Sequence, residues 1–377
     1  MLTALCNIYL NSSGALEKFQ ESFPLVYEIS DNWLINIRGK EHDAAIAFIK
    51  KTFPNSEATC TIFSGLDDTQ WAASTTLMLK SARYEYLYVY LEDHFLMKPL
   101  SQMREVIKEM MKLKLDYLQY SFFNVGLNLD SLEVFQPDQA EHLFHFTFKP
   151  EHIALAKKTN PTFYPYALPS ISRLSFFKKL LTIEERRLIK IPRTVQGILE
   201  NVYFIYPRNR QLYFKLNGWL QNFGLRIVIY TPGSPFNLEK SLHDCDASLL
   251  PYELGVLREE LFANWDDDNG VTNTSLIRRG LYPRRLQYEQ KTPKLAAESF
   301  KEETLKKKVK VARRYHPNTG RISTLPLKVI RVHEGSVRIS GPTEEHTLHK
   351  GETITLYANI PHTLEAIEDL RYSYAII

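Results

Sequence analysis

The residues with the most chemical potential are Glu92, Asp93 and His94, two carboxylates and an imidazole that directly follow Tyr86-Leu87-Tyr88-Val89-Tyr90-Leu91. An unpaired charge is costly to bury, so an apolar run ending in two acids points them at water, a metal or a ligand. Oxygen ligands suit Mg²⁺ and Mn²⁺, and Mn²⁺ accepts an imidazole more readily. An ion there would act as a Lewis acid on the charge of a departing diphosphate. The plain alternative is an acidic loop with a solvent-facing His94 beside Lys98, and the tripeptide alone does not separate the two.

The positioning elements come next. Leu87, Val89 and Leu91 alternate with Tyr88 and Tyr90, which predicts a strand over 86–94 packed on both faces. Upstream, the pattern predicts strands over 2–10, 32–39 and 58–63. Helices are expected through Leu16, Phe19 and Phe23, over 43–53 and over 71–81, with Asn11-Ser12-Ser13-Gly14 as a turn and N-cap. A helix after Pro99 and a strand over 116–123 follow. This alternation is the mark of an α/β domain with a mostly parallel sheet. In such sheets ligands bind at the carboxyl ends of the strands, which is where Glu92, Asp93 and His94 would lie.

Four stretches, Leu5-Cys6-Asn7-Ile8-Tyr9, Asn36-Ile37-Arg38-Gly39, Gly65-Leu66-Asp67-Asp68 and Leu91-Glu92-Asp93-His94, occur in an order that resembles the GT-A fold glycosyltransferases, family 2-like. The resemblance implies a nucleotide-sugar-binding sheet in which Asn7, Arg38, Asp67, Asp68 and Glu92 contact the donor. Asp93 would then stand at the reacting centre, and Asp93 with His94 would hold a divalent metal, Mn or Mg. His94 departs from the family, which usually has a second Asp at that position. Inverting transfer also needs a carboxylate to take the acceptor's proton. The stretch from Tyr166 through Pro169-Ser170 to Ile198-Leu199-Glu200 is similar to the acceptor side of such enzymes, which makes Glu200 the expected base and Glu185 the second choice.

Toward the C-terminus, short strands and turns over 328–377 predict a small antiparallel barrel or sandwich. Val329 to Val337 and Gly351 to His362 resemble the two halves of a cupin, with His362 at the histidine of the second half. The first half departs from the pattern, because its glutamate position falls at Lys328. A lone imidazole does not hold a catalytic metal, so a metal-free, cupin-like jelly roll used for sugar binding or homodimer formation is expected, with His362 as its ligand residue.

These readings divide the 377 residues into a GT-A-like domain over 1–290, a charged helical linker over 291–312 and the cupin-like domain over 313–377. The net charge of +4 gives no reason to expect nucleic acid. Three cysteines without metal-ligand spacing fit a reducing cytoplasm, and no apolar run is long enough to span a membrane. Lys178, Lys179, Arg186, Arg187, Lys190 and Arg193 beside Phe176-Phe177 offer a peripheral membrane contact for a lipid-linked acceptor, or a solvated helix face. Asp266-Asp267-Asp268-Asn269-Gly270 is not a calcium loop, since no glutamate closes it. The expected function is a hexosyl-type glycosyltransferase acting from a nucleotide-diphosphate donor on a glycan or lipid-linked glycan, as in surface polysaccharide synthesis. The alternative is a non-catalytic carbohydrate-binding or regulatory protein with a sugar-sensing cupin. A nucleotidyltransferase is disfavoured, because no Gly-rich basic loop follows the first strand.

Overall fold

The computed structural model describes residues 1–66, 71–120, 132–159, 168–183, 188–191, 219, 226–229, 249–265, 275–283, 285–288, 299–315 and 325–377. It divides into two compact units, Met1–Ala263 and Asn264–Ile377.

The first unit is mixed α/β. The strands of its main sheet are β1 (Thr3–Tyr9), β2 (Trp33–Arg38), β3 (Cys60–Ile62), β4 (Tyr86–Val89), β5 (Tyr117–Gln119), β6 (Asp138–Gln139), β7 (Leu143–Phe148), β8 (Ser170–Arg173) and β9 (Tyr252–Leu257). They form one sheet in the order β3-β2-β1-β4-β8-β5-β9-β7-β6. β1, β2, β3 and β4 run parallel; β8 is antiparallel to both β4 and β5. Its longer helices include α1 (Ser13–Val26), α2 (His42–Thr52), α3 (Trp71–Met78), α4 (Leu100–Lys112) and α5 (Leu174–Ile183).

β1, β2 and β4 are buried almost along their length and largely apolar because both faces of the sheet are covered. In β4 and the two residues after it, Tyr86, Tyr88 and Tyr90 enter one core while Leu87, Val89 and Leu91 enter the other. α1 sends Phe19, Phe23 and Val26 into the tyrosine side, where the Phe23 and Trp33 rings lie 4.7 Å apart. Its first turn is closed by Ser12, whose side chain accepts from the Ala15 N–H at 3.2 Å. The run over 86–94 is not one strand. It ends at Val89, and a new short strand, His94–Leu96, begins after a turn at Glu92 and Asp93.

The second unit is a β-sandwich of β10 (Lys301–Leu305), β11 (Lys310–Arg313), β12 (Leu327–Glu334), β13 (Ser336–Ser340), β14 (Glu345–His349), β15 (Thr353–Tyr357), β16 (His362–Ala366) and β17 (Leu370–Ile376). Its sheets run β10-β17-β12-β15 and β11-β16-β13-β14. Counted from its own first strand, that is 1-8-3-6 against 2-7-4-5, the double Greek key of a jelly roll. Gly335 turns β12 into β13 at φ +77°, and a Cβ there would stand 2.1 Å from the Asp369 carbonyl oxygen.

Two expectations about organisation are corrected. Residues 301–305 and 310–313, placed in a helical linker, are strands. Both lie at sheet edges, where lysine and glutamate keep an open edge from pairing with another chain, so their charge mimics a solvated helix. The units also divide at Ala263/Asn264 rather than at 290. Residues 275–283 and 285–288 are tied to the jelly roll: Asn359 Nδ2 donates to the Ile277 and Tyr282 carbonyls at 3.1 and 2.6 Å, and Leu286 sits in the sandwich core.

Candidate functional site

In the order β3-β2-β1-β4 the chain reverses its direction of progress between β1 and β4. The carboxyl ends of those strands therefore open the crevice where α/β sheets bind ligands. β1 ends there at Tyr9, followed by the α1 N-terminus, and β4 leads there into Glu92 and Asp93.

The turn that carries the acids is clamped from two sides. Ser22 of α1 donates from Oγ to the Glu92 carbonyl at 2.9 Å and shares a 2.6 Å hydrogen bond with the Tyr90 hydroxyl. The Tyr120 hydroxyl donates to the Val89 carbonyl at 2.7 Å. Asp93 Oδ1 lies 2.7 Å from His94 Nδ1, and Asp93 keeps 29% of its side chain exposed while His94 keeps 3%. The His94 ring stands edge-on to Tyr120 at 6.2 Å between centroids.

The environment pushes the two carboxylates apart. Burial, and after it the charge of Asp93, push Glu92 up to about 7, with Lys18 of α1 drawing it partly back. Burial also acts upward on Asp93, but the charge and hydrogen bond of His94 outweigh it and hold Asp93 below the ordinary carboxylate range. At neutral pH one acid is a fixed anion and the other can exchange a proton.

The structure treats the expected site residues unequally. Glu92 and Asp93 are brought together at the switch point. Arg38 ends β2 at the same edge, with its guanidinium 5.9 Å above the Tyr9 ring. Asn7, expected on the donor, is a buried structural residue. Its Nδ2 donates to Ser74 Oγ at 3.0 Å and Thr75 Oγ1 at 2.8 Å, and its Oδ1 accepts from Asn36 Nδ2 at 3.0 Å. His94, expected on a metal, is buried and hydrogen-bonded through Nδ1 to Asp93. Asp67, Asp68, Glu185, Glu200 and the 266–270 stretch lie outside the described residues.

Asp93 and His94 face one another. Among the described residues no three His, Cys, Asp or Glu side chains converge to hold an ion, and the Asp93 oxygen nearest His94 is already bonded to the imidazole. In the jelly roll, His362 Nδ1 lies 2.8 Å from the Ile360 carbonyl and its Nε2 lies 3.5 Å from Lys328 Nζ. Burial pushes His362 down to about 4 and Lys328 down to about 8. An amine beside the imidazole disfavours a cation there.

Ser22 was not singled out by sequence, although a serine between Phe19 and Phe23 on the apolar stripe of α1 is a readable sign of a buried hydrogen bond. Phe176 and Phe177, expected on a membrane-facing surface, are buried in the core, while Lys178 and Lys179 face outward. Among the described residues no helix is long and apolar enough to cross a membrane.

No protein-family model matches the chain, and no curated protein sequence matches it either. Among solved structures it is similar to an HTH_3 family transcriptional regulator from Vibrio cholerae, at 22% identity over 22% of this chain and 44% of that one, with a TM-score of 0.18. It is also similar to a cupin-2 domain protein from Shewanella frigidimarina, at 22% identity over 21% of this chain and 67% of that one, TM-score 0.16. A DUF861 family protein from Thermotoga maritima matches at 15% identity over 21% of this chain and 81% of that one, TM-score 0.17. For the regulator the chain spans 44% of the matched protein's own length, and for several other matched structures it spans 20–61%. Scores this low carry no argument, and the jelly roll rests on its own strand order.

Proposed function

We propose that the first unit is a GT-A-like glycosyltransferase domain that moves a sugar from a nucleotide-diphosphate donor to a glycan or lipid-linked glycan acceptor. The observation that carries the reading is the Glu92–Asp93 pair at the switch point, with one carboxylate pushed up to about 7 and the other held down. Carboxylates separated in this way mark an acid/base division of labour.

In this reading Asp93, ionised and held by His94, accepts hydrogen bonds from hydroxyls of the donor. Glu92 takes the proton of the acceptor hydroxyl as its oxygen bonds to the anomeric carbon. The bond from that carbon to the diphosphate breaks, and its electron pair leaves with the diphosphate. The leaving charge meets the N-terminus of α1, a positive dipole end with no acidic residue in its first turn. A Cβ at Gly14 would meet nothing within 4 Å, so a phosphate can approach the backbone there. Glu200 is the base that the resemblance implies; Glu92 is the one supported by the geometry in hand.

The test is release of nucleoside diphosphate from a panel of UDP-, GDP- and dTDP-sugars, with glycan and polyprenyl-phosphate-linked glycan acceptors. Acceptor-dependent release from at least one donor is expected. If nucleotides bind and none is turned over, the non-catalytic, carbohydrate-sensing reading replaces this one.

A further inference from the structure

The second unit carries a groove of about 430 Å³ bordered by Arg313, Arg314, Ser340, His362 and Thr363. We infer that this groove binds a small oxyanion, a phosphate or carboxylate group on a compact polar molecule, with the Arg314 guanidinium as its principal contact. The inference stands independently of the transferase reading, since all its residues belong to the jelly roll.

Arg314 carries the argument. Its Nε and Nη2 are buried and have no hydrogen-bond partner. A guanidinium is always charged, and its fork of N–H donors matches two oxygens of a carboxylate or phosphate. Burying that fork unpaired is costly, so the position makes physical sense with an anion against it. The backbone beside it is fixed rather than loose, because Tyr315 N–H donates to the Ala358 carbonyl at 2.9 Å.

Among the described residues the neighbouring charges leave no acid to fill that role. Glu303 is engaged twice, by the Arg313 guanidinium and by the Tyr372 hydroxyl. Glu345 and Glu365 on the adjoining strands are engaged by Arg338, and Glu365 also by Lys310. Behind His362, the Lys328 amine lies over the Tyr374 ring at 4.9 Å and, among the described residues, has no carboxylate within ion-pair distance. Lys310, Arg313, Arg314, Lys328 and Arg338 therefore stand against Glu303, Glu345 and Glu365 among the described residues, and the surplus is positive. A groove of this size suits one small ligand.

The test is calorimetric titration of the full chain with inorganic phosphate, with D-glucuronate and with uncharged D-glucose, on wild type, Arg314→Gln and Arg314→Lys. At least one anion should bind wild type while glucose binds at least about tenfold more weakly. Arg314→Gln should weaken that anion by about tenfold or more, the scale of a lost charged hydrogen bond. Arg314→Lys, which keeps the charge and loses the fork, should fall between them, and it decides the matter should the glutamine variant fail to fold. Phosphate alone binding assigns a phosphorylated ligand; glucuronate alone binding assigns a sugar acid. Binding of neither anion to wild type, or equal binding by wild type and both variants, overturns the inference.

Discussion

Glu92→Gln is expected to lower the transfer rate by about 10²–10⁴-fold, the usual contribution of a positioned general base. Glutamine keeps the size and polarity of the side chain but cannot take a proton, so the donor's KM should change little. Glu92 is pushed up to about 7 by burial and by Asp93. The wild-type rate should therefore rise through a limb near pH 7 as the base ionises, and the variant should lose that limb. The same shift has a stability consequence. A carboxylate whose folded pKa is raised stabilises the fold below its unfolded value, near 4.5, and loses that contribution as pH rises through about 7. Above pH 7 the ionised Glu92 is a net cost, of up to about 3 kcal/mol on the linkage scale. Thermal unfolding should show Glu92→Gln more stable than wild type at pH 8 and closer to it at pH 5. Lower activity together with higher stability would mark a group held in an unfavourable state for its chemistry. Unchanged activity would remove Glu92 from the base role.

Asn7→Ala is expected to destabilise the first unit by about 3–5 kcal/mol, because each buried polar group left unsatisfied costs about 1–3 kcal/mol. The Asn7 carboxamide joins three elements. It donates to Ser74 and Thr75 of α3 and accepts from Asn36 of β2, and Asn7 and Asn36 are both almost fully buried. Removing it leaves Asn36 Nδ2 without its acceptor and the two hydroxyls without their donor. The bond from Trp71 Nε1 to the Asn7 carbonyl, 2.9 Å, is made by backbone and survives. Since the whole stability of a domain is about 5–15 kcal/mol, the urea midpoint should fall sharply. A variant that keeps its urea midpoint and loses nucleotide binding instead would return Asn7 to the donor-contacting role its position in β1 first suggested.

The contrast between Asn7 and Glu92 shows how far the sequence could be read. Strands buried on both faces announce themselves as apolar runs, so β1, β2 and β4 and the helices between them were legible, and with them the edge where the acids fall. A polar residue inside such a run is ambiguous. Asn7 could face a ligand or a neighbouring element, and only the placement of Ser74 and Thr75 across from it decides. His94 is ambiguous in another way, since residues next to each other in sequence can aim at one ligand or at one another. The 2.7 Å bond to Asp93 shows the second. Lys301-Glu302-Glu303-Thr304-Leu305 misled for a physical reason: an edge strand needs charge for the same purpose as a solvated helix. Arg314 gave no signal at all, because an unpartnered guanidinium is a property of its surroundings.

The measurement that bears most directly on the switch-point site is calorimetric titration of UDP and GDP, with and without Mn²⁺, into wild type and Asp93→Ala. One of the two nucleotides should bind wild type, and removal of the Asp93 carboxylate should weaken it by about tenfold or more, as loss of a charged hydrogen bond does. If neither nucleotide binds wild type in either condition, or if Asp93→Ala binds as tightly as wild type, the crevice between β1 and β4 is not a nucleotide-sugar site.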